Sequence, residues 1–530
     1  MSARHKNLSR HGRIPVLVAV LLAVVAGGGY WAYQQYGDAS GRCERVSVAV
    51  TPELEPTVSA AAKALARSAG DCVTLAVSKA TSAEVANGTQ GRPDLWIPDS
   101  SAWLDRTSAG TSRPKVLVAS LASSPLVLVS ADRIEQPTSW LAALGSGTVA
   151  VTDPLTSSTG TGALLSVQGE RAATHATDQQ IGGVIVPAAQ NYGAQPSPIK
   201  TADDAFTAVT APGSAVTAVV TEQAFLSYLR QHPGTTAYAT TPRTGSVLLD
   251  YPLASFAPDD ARVTAAGTAL KRYFAGAGVG LLGKASFRNA AGAPLGAGAG
   301  VGAVSLLSIA RDPAAVQSTL RTWKVLTVPS RLLAVFDVSG SMDDRTGGKS
   351  RIDLTVEAAA TGLQMFSSSA QIGAWAFSDR SLTGTLPYRE LLAIRGLDEP
   401  VGGGTQRDAL RSTMQRLPQL TQGGTALDDT VVAAYRHMQK TYQPDAVNTV
   451  LLLTDGAEDG SSRISQAEAI ATLKREYDPA RPVHLIFIGI SADADVPALK
   501  RLSDAVHGRY YVARRPGDIA SVFIDAFLSR

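Results

Sequence analysis

From Arg45 onward the chain alternates short, nearly continuous apolar runs with longer stretches whose apolar residues fall at helical spacing. "RVSVAV" (45–50) leads into an Ala-rich helical stretch from Pro52 to Ser68, "VTLAV" (73–77) into "TSAEVANG", and "DLWIP" (94–98) into a helix start at "DSSAWLDR". "PLVLVS" (125–130), "GTVAVTDP" (147–154) and "SAVTAVVTEQAFLSYLR" (214–230) continue the series. Runs that are apolar at consecutive positions belong to strands buried on both faces, and their alternation with helices predicts parallel sheets covered on each side. Two such groups over residues 40–320 predict a bilobal α/β domain.

The stretch "RDPAAVQSTLRTWKVLTVPS" (311–330) carries two prolines and reads as a domain boundary. A second domain follows over 325–530. Its strands are "RLLAVF", "IGAWAF" (372–377), "NTVLLLT" (448–454), "VHLIFIG" (483–489) and "RYYVA" (509–513). Helices are predicted over 351–367, 407–417, from Ala426 to Tyr442, and over 465–475, 495–506 and 517–528. The pattern predicts a doubly wound, Rossmann-like α/β domain, whose ligands sit beyond the C-terminal ends of its strands.

The N-terminus has a different pattern. From Ile14 to Tyr33, "IPVLVAVLLAVVAGGGYWAY", no residue is charged, and about 20 helical residues span roughly 30 Å of bilayer core. Arg4, Lys6, Arg10 and Arg13 precede this run without an acidic residue, which predicts a cytoplasmic tail over 1–13 and a single transmembrane helix over 14–36. The alternative is a cleaved signal peptide with "VAGGG" as its exit. Under either reading the bulk of the chain is extracytoplasmic, at the cell membrane or beyond it.

Net charge is +3, too small an excess to mark a nucleic-acid surface. The two cysteines, Cys43 and Cys72, each stand immediately before an apolar run. If those runs are neighbouring parallel strands, the pair lies at one sheet edge, and a disulfide there contributes roughly 3–4 kcal/mol. Arg42 stands before Cys43, where lipid attachment requires a small residue.

The candidate chemistry lies in the second domain. In "FDVSGSM", Asp337, Ser339 and Ser341 follow the first strand directly; "QGGTALDD" puts Thr425 at a glycine-freed helix start; and "LLLTDGAEDG" puts Asp455 one residue past another buried strand. Two carboxylates and three hydroxyls are hard oxygen donors suited to Mg2+, or to Mn2+ or Ca2+. No Cys or His falls in these loops, which argues against zinc.

The order Asp-x-Ser-x-Ser, Gly-Gly-Thr, Thr-Asp-Gly resembles the metal-ion-dependent adhesion site of the von Willebrand factor type A domain, over residues 331–530. The resemblance implies a divalent cation held by Asp337, Ser339, Ser341, Thr425 and Asp455, with a partner's Glu or Asp completing its coordination. "GGGT" also offers Thr405; Thr425 is preferred because it opens a long apolar-striped helix. Residues 43–320, through "RPDLWIPDSSAWLDR", "ASSPLVLVS", "VAVTDPLTSSTGTGALLS", "AVVTEQAFLSY" and "LDYPL…KASFRNAAG", resemble bacterial extracellular solute-binding proteins of the two-lobed, type II kind. Carried over by position, the cleft candidates are Thr51, Ser100, Ser101, Ser123, Ser124, Ser157 and Ser158. Such hydroxyls also serve as ordinary helix N-caps, and the absence of Arg from these positions leaves the solute undefined.

Enzymatic readings fail on particular residues. "RTGGKS" (345–350) has Asp343 where a phosphate-binding loop needs its first Gly, and no G-x-S-x-G occurs. The sequence therefore predicts a membrane-anchored, non-enzymatic binding protein whose second domain makes metal-dependent protein contacts or adhesion. The alternative is a solute-sensing or transport-associated receptor. The Ala- and Gly-rich composition and this domain pairing resemble surface proteins of actinobacteria.

Overall fold

The computed structural model describes residues 44–68, 73–107, 112–195, 197–296, 298–307, 313–346, 348–455, 458–490 and 494–513, with Asp518 and Val522. The expected membrane segment 14–36, both cysteines of the expected disulfide and most of the expected terminal helix lie outside these residues. Among the described residues no helix is long and apolar enough to cross a membrane.

The chain divides into two compact units, and the first is built from residues up to Asp99, Arg106–Leu121 and Tyr251–Lys284. Its sheet runs in the order Val73–Lys79, Glu44–Val50, Leu95–Ile97, Leu253–Ser255, Lys115–Val118. The first two strands are parallel, with Glu44 opposite Val73 and Val50 opposite Lys79. The apolar runs that follow the two cysteines are therefore neighbours. The fourth strand is antiparallel to both of its neighbours, so the sheet is mixed rather than wholly parallel. Strand–helix alternation forces parallel pairing only while each strand follows its crossover helix. Leu253–Ser255 instead belongs to a stretch that rejoins this unit after a long excursion through the second.

The second unit takes Ser100–Asp105, Ala122–Asp250 and Ala285–Arg530. It holds a small sheet ordered Val149–Ala150, Thr217–Thr221, Ser124–Ser130, Tyr238–Thr240, with Leu248–Leu249 also on the central strand. Val127, Val129, Phe206, Val209 and Val220 form its core. The boundary stretch is not a loop. It forms a helix, Pro313–Leu326, with proline at its first position, where the missing N–H costs nothing. Val316 and Leu320 pack on Leu165, and buried Trp323 meets Tyr192 at a ring separation of 5.7 Å.

The same unit contains a six-stranded sheet in the order Tyr388–Gly396, Gln371–Phe377, Ser330–Asp337, Val447–Thr454, Val483–Ile490, Arg509–Ala513. All neighbours are parallel except the antiparallel edge strand Tyr388–Gly396. The central strand Ser330–Asp337 is buried along its whole length, as its unbroken apolar run requires. Leu333, Val335, Val450, Leu452, Leu485 and Phe487 form one core with the helix Leu427–Lys440 and its neighbours.

Candidate metal centre in the C-terminal domain

The strand Ser330–Asp337 ends on Asp337, and the chain turns at once into a short 3-10 helix, Gly340–Asp343. This turn brings three members of the expected set together. Asp337 is fully buried. Its Oδ1 accepts the Ser339 N–H at 2.8 Å, and its Oδ2 accepts the Thr454 hydroxyl at 2.6 Å. The Ser339 and Ser341 hydroxyls lie 3.2 Å apart, and Ser341 Oγ donates to Asp455 Oδ1 at 3.0 Å. Asp337, Ser339, Ser341 and Asp455 thus form one connected polar array. Ser339 and Asp455 are buried, whereas Ser341 is exposed and marks the side open to solvent.

Thr425 is delivered by the loop before the helix Leu427–Lys440. Gly340 N bonds to Gly423 O at 3.0 Å, and Gln422 N to Val338 O at 2.8 Å, which fastens this loop to the Asp337 turn. Gly423 has φ of +69°, and a Cβ there would stand 2.5 Å from Asp379 Oδ1, so glycine is required by both conformation and space. Thr405 is occupied elsewhere: it caps the helix Gln406–Met414, in a reciprocal capping box with Asp408. The geometry therefore favours Thr425 over Thr405.

Burial, and then the charge of Asp455, push Asp337 up to about 7. Two carboxylates this close repel each other unless a cation or proton intervenes. Among the described residues no group of three or more His, Cys, Asp or Glu is placed to hold a metal, so any ion here depends on hydroxyls beside its two carboxylates. That donor set fits a hard divalent cation.

Two residues of this site were missed by the sequence reading. Thr454 lay within the quoted motif without being singled out. Arg351 opens the helix Arg351–Gln364 directly after the Ser350 cap, and its Nη1 lies 2.8 Å from Asp455 Oδ2. A signal was available, because a cation in the first turn opposes the helix dipole and needs a carboxylate nearby.

The candidate hydroxyls of the N-terminal domain are largely engaged within the fold. Ser100 Oγ accepts from Ala102 N, and Ser157 Oγ caps its helix through Thr159 N and Gly160 N. Ser123 Oγ donates to Asn289 O at 2.7 Å, Ser124 Oγ accepts from Gln223 N at 3.0 Å, and Ser158 Oγ accepts from Trp103 Nε1 at 2.6 Å. Ser101 N bonds to Asp250 Oδ1 at 2.7 Å. These six stand in the second unit, and buried Thr51 stands in the first. The first unit also places Glu53 and Asp99 past its strand ends, neither anticipated from sequence. Burial, and then Asp99, push Glu53 up to about 7, while Tyr251 Oη donates to it at 3.0 Å.

Comparison with known families gives two successive matches along the chain. Residues 46–279 match the bacterial extracellular solute-binding protein family, and residues 332–523 match the von Willebrand factor type A domain. The chain joins a solute-binding domain to a von Willebrand factor type A domain. No curated protein matches it. Among solved structures, a von Willebrand factor type A protein from Catenulispora acidiphila is 22% identical with a TM-score of 0.29, covering 38% of this chain. The match spans 42% of that protein's length. A periplasmic thiamin binding protein is 15% identical with a TM-score of 0.40, covering 54% of this chain and 98% of its own. Iron-bound HitA from Pseudomonas aeruginosa is 14% identical with a TM-score of 0.39, covering 53% and 99% respectively. The A domain is thus the part of the chain that carries the Asp337 array.

Proposed function

We propose that the protein is a membrane-anchored, extracytoplasmic binding protein whose A domain takes Mg2+, or Mn2+ or Ca2+, and uses it for metal-dependent protein–protein contact. The observation that carries this reading is the polar array of Asp337, Ser339, Ser341 and Asp455, with the Thr425 loop fastened against it. Asp337 is held from two sides by Ser339 N and Thr454 Oγ1, so its carboxylate is oriented before any ion arrives. Asp337 and Asp455 supply the negative charge, and Ser339, Ser341 and Thr425 supply neutral oxygens. A divalent cation at such a set acts as a Lewis acid with room for one more oxygen ligand. The exposed Ser341 side gives a partner's Glu or Asp its approach, and its contact would be charge-assisted.

The anchor is the apolar run Ile14–Tyr33, with the N-terminus cytoplasmic. No enzymatic role is proposed, because among the described residues the site offers oxygen ligands and no placed nucleophile–base pair. Nucleic acid is not a proposed partner.

A second reading is a solute-sensing or transport-associated receptor, in which the solute-binding domain takes a small molecule and the A domain recruits a partner. It is favoured by the buried Gln190, which ties Ala122–Asp250 to the A domain within one unit. Its Oε1 accepts the Ser367 N–H at 2.8 Å and its Nε2 reaches Ser330 Oγ at 3.4 Å.

The test is capture of envelope proteins on the full chain in Mg2+ or Mn2+, in EDTA, and with Asp337→Ala. Capture that needs both the metal and Asp337 is the expected result. Capture indifferent to both would overturn the adhesion reading and direct attention to a solute screen of the N-terminal domain.

A further inference from the structure

Arg351 stands outside every motif that marks the metal site, yet its guanidinium meets one of the site's two carboxylates. Nη1 lies 2.8 Å from Asp455 Oδ2, with the Arg351 side chain 13% exposed and that of Asp455 fully buried. The other oxygen of Asp455 accepts the Ser341 hydroxyl at 3.0 Å. Both Asp455 oxygens are therefore engaged within the chain. Arg351 is well fastened, because its N–H bonds to Asp344 O at 3.0 Å and Ser350 caps the helix that it opens. Asp344, with its side chain 69% exposed, lies 3.5 Å from the same Nη1.

The charge has consequences for any ion at the site. Guanidinium does not lose its proton in proteins, so this positive charge persists at every working pH. Placed against Asp455, it offsets that carboxylate's attraction for a cation and adds its own repulsion. Asp337, facing Ser339 and Thr454, has no such counter-charge among its bonds to the described residues. The two carboxylates are thus unequal in their neighbours: Asp455 is partly neutralised in advance by the guanidinium, and Asp337 is not.

We infer that Arg351 is a positioning residue which competes with the divalent cation for Asp455, holding metal affinity down and leaving the bound ion's charge to be completed by an acidic group of the partner. This rests on the metal-binding reading and goes beyond it. An unopposed pair of carboxylates would neutralise a divalent ion and leave little demand for a third. With Asp455 shared, the loaded site carries excess positive charge and is selective for an anionic partner ligand. Asp344 gives the guanidinium an exposed carboxylate to lean on when Asp455 turns to the ion.

The experiment is Mn2+ titration of the chelator-treated full chain, with free Mn2+ read by electron paramagnetic resonance. Wild type is compared with Arg351→Met, Arg351→Gln, Asp455→Asn and the Arg351→Met/Asp455→Asn double variant. Arg351→Met and Arg351→Gln are expected to bind Mn2+ roughly three- to tenfold more tightly than wild type. In the Asp455→Asn background the gain should shrink, because the contested carboxylate is gone and only the guanidinium's direct repulsion is left to remove. Arg351→Gln keeps an N–H for Asp455 Oδ2, so it decides the matter should Arg351→Met fail to fold by circular dichroism. Wild type that binds Mn2+ while the folded Arg351 variants bind equally or more weakly overturns this inference alone. Absence of Mn2+ binding in every protein overturns the metal reading together with it. Binding that emerges only in the Arg351 variants supports the competition in its strongest form.

Discussion

Thr454 Oγ1 lies 2.6 Å from Asp337 Oδ2, a bond between the last residues of two adjacent parallel strands. The register sets Phe336 beside Leu453, so the next residue on each strand meets the other at the sheet's rim. Both groups are shut away from water. Thr454→Val keeps the side-chain shape and removes the donor. The expected outcome is a loss of about 1–3 kcal/mol, read from urea unfolding at pH 7 as a lower midpoint with unchanged slope.

Thr425 and Thr405 are expected to separate by function. Thr425→Ala should weaken Mn2+ binding by calorimetry with little change in stability. Thr405→Ala removes a cap from the helix Gln406–Met414 and should cost about 1 kcal/mol while leaving Mn2+ binding unchanged. The reverse pattern would reassign the ligand.

Asp428 is buried, and among the described residues neither of its carboxylate oxygens has a hydrogen-bond partner. Burial, then the charges of Glu458 and Asp429, push it up from 3.8 to about 7. Across that window the folded state holds a proton that the unfolded state has released, so its contribution is complete below pH 3.8 and lost as pH rises through 7. One such proton gives a slope of up to about 1.4 kcal/mol per pH unit. Asp428→Asn should flatten the stability profile between pH 5 and 7 and raise stability at pH 8 relative to wild type. Denaturant midpoints across that range check this.

Gln190 is buried and accepts the Ser367 N–H at 2.8 Å across 177 residues of sequence. Gln190→Leu leaves that buried N–H without its acceptor, for a loss of about 1–3 kcal/mol. If the A domain and its neighbouring residues unfold as one unit, a single cooperative transition should move. Two transitions, with only one shifted, would argue against a shared unit.

Much of this architecture was legible along the chain. Consecutive apolar residues in Ser330–Asp337 or Val447–Thr454 mean burial on both faces wherever they occur, and the strands lie where those runs lie. Glycines before Thr425 suggested a conformationally freed helix start, and Gly423 has the positive φ that such freedom allows. The helix Pro313–Leu326 was obscured because the two prolines of its stretch suggested a boundary, although Pro313 stands at the first helical position, where it breaks nothing, and Pro329 lies beyond the helix. The antiparallel strand Leu253–Ser255 was also hidden. A three-residue strand has too little periodicity to declare its direction, and its partners lie over a hundred residues away.

The sequence by itself determined the donor types, their order and their position at strand ends, because those depend on spacing between near neighbours and on the burial that apolar runs impose. Only the tertiary structure decided that Thr454 orients Asp337 and that Arg351 contests Asp455. Those relationships join residues about a hundred positions apart. They are set by strand register and loop packing, which local spacing does not encode.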